Sequence, residues 1–155
     1  MKNIIATNAN NWQALFARLA IAITIFPHGA QKLLGWYGGG GFNGTMDFFT
    51  HGAGLPWIIG FLVIIIEFFG SLLLVLGLAT RLAAFAIAVN FTGVLFSAIL
   101  ANGFFMNWSM QGGKGEGIEY FILLFGLIMI SLISGGGKAS IDAALSNKKP
   151  RVNLA

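Results

Sequence analysis

Glu67 stands near the centre of an apolar run, Trp57 to Leu78, that is long enough to cross a bilayer. A crossing takes roughly 20 apolar residues. An ionisable side chain at its middle costs on the order of 2.5 kcal/mol or more unless it is paired or faces a cavity. Glu67 therefore needs partners, and the candidates are Arg18 and Asn90 in other apolar segments and Arg81 in the link before the third. At about 1.5 Å per residue, Glu67 falls about 16 Å from either end of its run, Arg18 about 9 Å into the first segment and Asn90 about 12 Å into the third. An arginine can bridge that difference. Arg18, Glu67 and Asn90 are thus expected to form one buried cluster, with Arg18 and Glu67 in direct contact and Arg81 at its lower edge. Such a cluster suits a ligand or proton site, and equally an ion pair that fixes helix packing.

A second group is expected near the opposite boundary: His28 and Lys32, four apart on one helical face, with Glu119 at the start of the last apolar segment. Pro27 frees a backbone carbonyl beside them and Gly29 allows close approach. A histidine beside a carboxylate at a membrane boundary is what proton-coupled quinone chemistry needs, because the carbonyl oxygens must be hydrogen-bonded and protonated. The bland alternative is a snorkelling lysine beside a satisfied histidine.

Four segments must position these residues: Trp12–Leu34, Pro56–Leu78, Leu82–Ala101 and Ile118–Ser134. Lipid forces each to pair its own backbone, so the expected fold is all-α: a four-helix transmembrane bundle. The short Ala79-Thr80-Arg81 link makes the second and third an antiparallel hairpin. In the first long loop, Phe42, Met46 and Phe49 at helical spacing predict a short interfacial helix capped by Asn43. Trp36, Tyr37, Trp57, Trp108 and Tyr120 fall near one boundary, as an aromatic belt should. The glycines at 135–137 break the fourth helix. Residues 1–140 read as the membrane domain and 141–155 as a polar basic tail.

Composition agrees with this reading. The chain of 155 residues is 57% hydrophobic and only 9% charged, with a mean hydropathy of +0.82; a soluble domain carries about 25% charged residues. The net charge of +4 comes from scattered basic residues, four of the nine lying at 138 or beyond, so nucleic acid is not an expected partner. With both termini cytoplasmic, Lys2, Arg81, Lys138, Lys148, Lys149 and Arg151 lie inside, against Lys32 and Lys114 outside. The expected location is a bacterial cytoplasmic (inner) membrane. Cysteine is absent and only two histidines occur, so thiol chemistry is excluded and no metal site is expected. Gly39 to Gly44 fits a dinucleotide-binding glycine pattern, but it lies in a loop with no strand before it.

The ordered set of motifs resembles the DoxX family of small bacterial membrane proteins. It is carried by Arg18, by His28-Gly29 with Lys32, and by Phe42-Asn43-Gly44-Thr45 leading to Gly54-Leu55-Pro56. Glu67-Phe68-Phe69-Gly70 and Leu76-Gly77-Leu78-Ala79-Thr80-Arg81-Leu82-Ala83-Ala84 follow, then Glu119 and Gly135-Gly136-Gly137-Lys138-Ala139-Ser140-Ile141-Asp142. The resemblance implies a four-helix membrane bundle with a link to respiratory redox chemistry, related DoxD-type proteins being associated with thiosulfate:quinone oxidoreductase. The leading expectation is a membrane redox-associated subunit that binds a quinone or similar lipophilic ligand between helices. In it Arg18, Lys32, Arg81 and Asn90 hold the ligand, and His28, Glu67 and Glu119 carry protons. A redox partner subunit and self-association fit that reading. The alternative is a non-enzymatic scaffold whose buried charges fix helix packing.

Overall fold

Asn11 opens the first helix by accepting the backbone N–H of Ala14 at 3.0 Å, which satisfies one of the orphan donors at a helix N-terminus. The computed structural model describes residues 5–110 and 112–146. In it this helix, α1 (Trp12–Leu34), continues through Pro27 and ends at Gly35, whose φ of 74° suits a residue without Cβ. Ala14, Ala17, Arg18, Ile21, Ala22, Ile25 and Gly29 form its buried face at three- and four-residue spacing.

The expected interfacial helix is present as α2 (Gly41–Asp47), extended by a π-helical turn over Phe48–Gly52. Met46 is its buried residue and Phe48 is exposed. Asn43 does not cap it. Gly35 and Gly41, with φ of 74° and 63°, swing the chain round so that the helix starts after Gly40, leaving Asn43 inside it.

The remaining helices are α3 (Trp57–Leu76), α4 (Thr80–Asn102), α5 (Glu119–Ser134) and the short α6 (Ile141–Ser146). A π turn interrupts α3 at Ile66–Gly70 and α4 at Leu95–Ile99. No strand occurs among the described residues. Helices α1 and α4 each pack on both α3 and α5, so the four long helices close into a ring around Ile21, Ile25, Leu74, Ile87, Phe121 and Ile128. Their outward faces are also apolar: Ile23 is 70% exposed, and Leu123 and Ile133 are each 71% exposed. A four-helix transmembrane bundle accounts for both surfaces, since lipid solvates such a face and water does not. α1, α3 and α4 are long enough to cross; α5, at 16 residues, extends only about 24 Å.

The hairpin end is closed by the chain that follows α5. Gly77 ends α3 at φ 62°, and the Leu78 N–H bonds the Leu73 carbonyl at 3.0 Å, a Schellman-type stop. A Cβ at Gly77 would lie 2.4 Å from Ser140 Cβ, so the turn and the strap over it, residues 135–140, share one glycine. Lys138 N–H donates to the Asn11 carbonyl at 3.0 Å, and the Thr7 hydroxyl to the Ser134 carbonyl at 2.8 Å. The start of α1 and the end of α5 therefore lie at the same end of the bundle. Beyond residue 140, Asp142 and Ala143 are buried, so packing runs on into α6. Of the basic residues expected to set orientation, Lys2, Lys148, Lys149 and Arg151 lie outside the described residues.

Candidate functional site

Glu67 rides on the π turn of α3 and is 3% exposed. Such turns inside α-helices recur at functional sites because they re-aim a side chain. The Ser71 hydroxyl reaches the Glu67 and Phe68 carbonyls at 2.7 and 2.8 Å, so the disturbed ladder stays satisfied. Opposite the turn lies Gly29 of α1. A Cβ there would sit 2.6 Å from the Phe68 nitrogen and 2.7 Å from the Glu67 carbonyl carbon. Only glycine lets the two backbones meet so closely.

That contact sets the site. Lys32, one turn beyond Gly29, brings its Nζ to 2.5 Å from Glu67 Oε2. Asn90 of α4 donates its Nδ2 to Glu67 Oε1 at 3.2 Å. Tyr120 of α5 lies within electrostatic reach of the same carboxylate. Helices α1 and α4 thus each place a polar group on one buried acid of α3. The Glu67 side chain is 4% exposed and that of Lys32 25%, so the pair is open only on the lysine's side. There a cavity of about 410 Å³ lies between α1 and α2, lined by Gln31, Lys32, Gly44, Thr45, Phe48 and Phe49 among others. It is a shallow, open cleft rather than an enclosed chamber.

The expected contact between Arg18 and Glu67 does not form. Helical side chains lean toward their own N-terminus, and α1 and α3 run antiparallel, Arg18 lying beside Leu74 and Lys32 beside Glu67. Lys32 and Glu67 therefore lean toward one another, whereas Arg18 and Glu67 lean apart. Arg18, 1% exposed, instead spends its whole guanidinium on backbone carbonyls. Nη1 donates to Leu74 and Val75, both at 2.6 Å, and Nε to Gly136 at 2.9 Å. Nη2 donates to Lys138 and Ala139, at 3.2 and 2.7 Å. Asp142 supplies the nearby countercharge and accepts the Ala79 and Thr80 N–H groups at 2.8 and 2.9 Å, capping α4 from outside its own chain segment.

Arg81 also lies away from Glu67. Its Nε and Nη2 donate to the Leu132 and Ile133 carbonyls, each at 2.9 Å, and Nη1 donates to Ala6. It closes the last turn of α5 rather than a ligand site. His28 and Glu119 do not meet either. With Gly29 at the centre of the packed face and about 100° per residue, His28 is turned about 100° from that centre and is exposed. Lys32 is turned only about 60°, which its long stem spans. Glu119 accepts from Trp108 Nε1 at 2.9 Å, in the connection between α4 and α5. Of the expected site residues, Lys32, Glu67 and Asn90 come together, while Arg18, Arg81, His28 and Glu119 serve elsewhere or stand alone. Gln31 and Thr45 are additions; the one signal for them was their position beside Lys32 and on the predicted interfacial helix.

Among known proteins, the family model described as DoxX matches residues 13–109, a span that holds Arg18, Lys32, Glu67, Arg81 and Asn90 and stops short of Glu119 and the strap. The Bacillus subtilis (strain 168) protein named "Putative oxidoreductase CatD" is 31% identical over 93 residues, 60% of this chain and 64% of that protein. The chain therefore spans a little under two thirds of that relative's length. No solved structure matches the chain.

Proposed function

The chain belongs to the DoxX family, and from that membership we propose that it is a redox-associated membrane subunit which binds a quinone or similar lipophilic ligand over Lys32. The observation that carries the proposal is the Lys32–Glu67 pair, buried on the acid's side and bordering a cavity on the lysine's. A charge pair inside a spanning bundle is costly to maintain and marks function by default. An ammonium has three N–H donors. One is engaged by Glu67 Oε2, which leaves two for a carbonyl oxygen in the cavity. Lys32 is then the hydrogen-bond donor at that oxygen, and the Glu67 carboxylate, itself held by Asn90, fixes the ammonium in place. The word oxidoreductase in the name of the B. subtilis relative supports the redox association. A bacterial cytoplasmic membrane, a redox partner subunit and self-association complete the proposal.

The test is equilibrium binding of a short-tailed benzoquinone to the protein in lipid nanodiscs. Lys32→Met should lower affinity at least tenfold, and His28→Ala, which alters an exposed side chain with no polar contact to a described residue, should leave it unchanged. Equal affinity for wild type and Lys32→Met would remove the proposal. One observation favours the scaffold alternative for the other end of the bundle. All five hydrogen bonds of Arg18 end on backbone carbonyls, so that charge has a structural role and no donor left for a ligand.

A further inference from the structure

Among the residues lining the cavity only Lys32 is charged, and it is paired with Glu67 behind it. Lys32 and Glu67 neutralise each other, and Gln31 and Thr45 on the cavity wall are uncharged. The Asp47–His51 pair of α2 is at 2.8 Å with both side chains more than three-quarters exposed, 77% and 81%, and neither residue lines the cavity. An anionic head placed against Lys32 would leave two negative groups sharing one ammonium at the edge of a low-dielectric interior, which is unfavourable. A neutral acceptor leaves the balance intact. Donors are also in surplus: Lys32 keeps two N–H groups, and neither the Gln31 amide nor the Thr45 hydroxyl has a side-chain hydrogen bond among the described residues. Phe48 and Phe49 provide flat apolar wall beside them.

We infer that the cavity receives the uncharged, hydrogen-bond-accepting head of a lipophilic ligand, and that Gln31 and Thr45 are specificity-determining residues that grip it together with Lys32. The inference rests on the ligand-binding reading above but does not require a quinone. Gly44 provides an independent handle. A Cβ added there meets no protein atom within 4 Å, and its φ is not in the left-handed region. Gly44→Leu therefore enters open space at the cavity wall and leaves Lys32, Glu67 and Asn90 untouched.

The experiment compares three ligands of equal alkyl length on nanodisc-embedded protein: a benzoquinone, a neutral alkyl ketone and an alkyl carboxylate. Wild type should bind both neutral ligands and should bind the carboxylate at least tenfold more weakly. Gln31→Leu and Thr45→Val should each weaken neutral binding about three- to tenfold, the loss expected for one hydrogen bond. Gly44→Leu should weaken it more, while its thermal stability in the same nanodiscs stays at or above wild type. A ketone that binds as well as the quinone defeats the quinone reading and supports the neutral-head inference. Preferential binding of the carboxylate, or neutral binding that ignores Gly44→Leu and both polar substitutions, overturns the inference even if some ligand binds.

Discussion

Replacing Lys32 with Met removes the only charge paired with Glu67 among the described residues and leaves that carboxylate with Asn90 Nδ2 at 3.2 Å as its remaining side-chain donor there. Breaking a buried pair by deleting one partner costs about 3–5 kcal/mol. The lysine borders the cavity, with its side chain 25% exposed, so the lower bound applies and about 3 kcal/mol is expected. The converse change is milder. Glu67→Gln leaves an ammonium that the cavity can hydrate, and an amide still able to accept from Asn90, for a loss of about 1–2 kcal/mol. The order of the two singles follows from the 4% against 25% exposure of the partners. In the double variant Lys32→Met/Glu67→Gln no charge is left to solvate, so its loss should be smaller than the sum by about 2 kcal/mol. Unfolding in mixed micelles with rising SDS fraction measures all three. Arg18→Gln with Glu67→Gln is the control, and its losses should add because Arg18 bonds other groups. Additive losses for the Lys32–Glu67 cycle, or coupling in the Arg18–Glu67 cycle, would refute the assignment of partners.

Gly29→Ala should force α1 and α3 apart, since the new methyl would lie 2.6 Å from backbone; a lower melting temperature and weaker quinone binding are expected, whereas Gly93→Ala, in open space, should gain up to about 1 kcal/mol from helix propensity. Asp142→Ala removes the acceptor for two N–H groups at the start of α4 and the countercharge near buried Arg18, and should cost about 3 kcal/mol or more, read by the same unfolding assay. Reporter fusions after Ser146 and in the loop at Asp47 should report the cytoplasm and the outside respectively; the reverse pattern would invert the orientation and leave the bundle unchanged.

The four long helices were legible because hydropathy and length are properties of the sequence alone, and each expected segment matches its helix to within a few residues. The Glu67–Asn90 contact was also legible, since depth along antiparallel neighbours located it. Depth failed for Arg18 because counting residues ignores the direction in which helical side chains lean. It also treats the backbone as inert, whereas the acceptors of Arg18 are carbonyls at Leu74, Val75, Gly136, Lys138 and Ala139. The glycines at 135–137 were read only as a helix breaker, although a turn of that kind also presents free carbonyls. His28 failed for a related reason: it shares a depth with its supposed partner but not a face. The π turn at Ile66–Gly70 has no signature in residue type, and neither does the cavity that α2 forms with α1.

The Arg18 hydrogen bonds also impose an order on biosynthesis. Arg18 leaves the ribosome early, but three of its five acceptors follow 118 to 121 residues later. At about 5–20 residues per second, that interval is roughly 6–24 s. Through that time a guanidinium belongs to a helix already made while much of its cradle has not been synthesised, so α1 cannot take its final depth until the strap arrives. A product cut short before Gly136 keeps all four long helices yet leaves the Arg18 donors to Gly136, Lys138 and Ala139 without those acceptors.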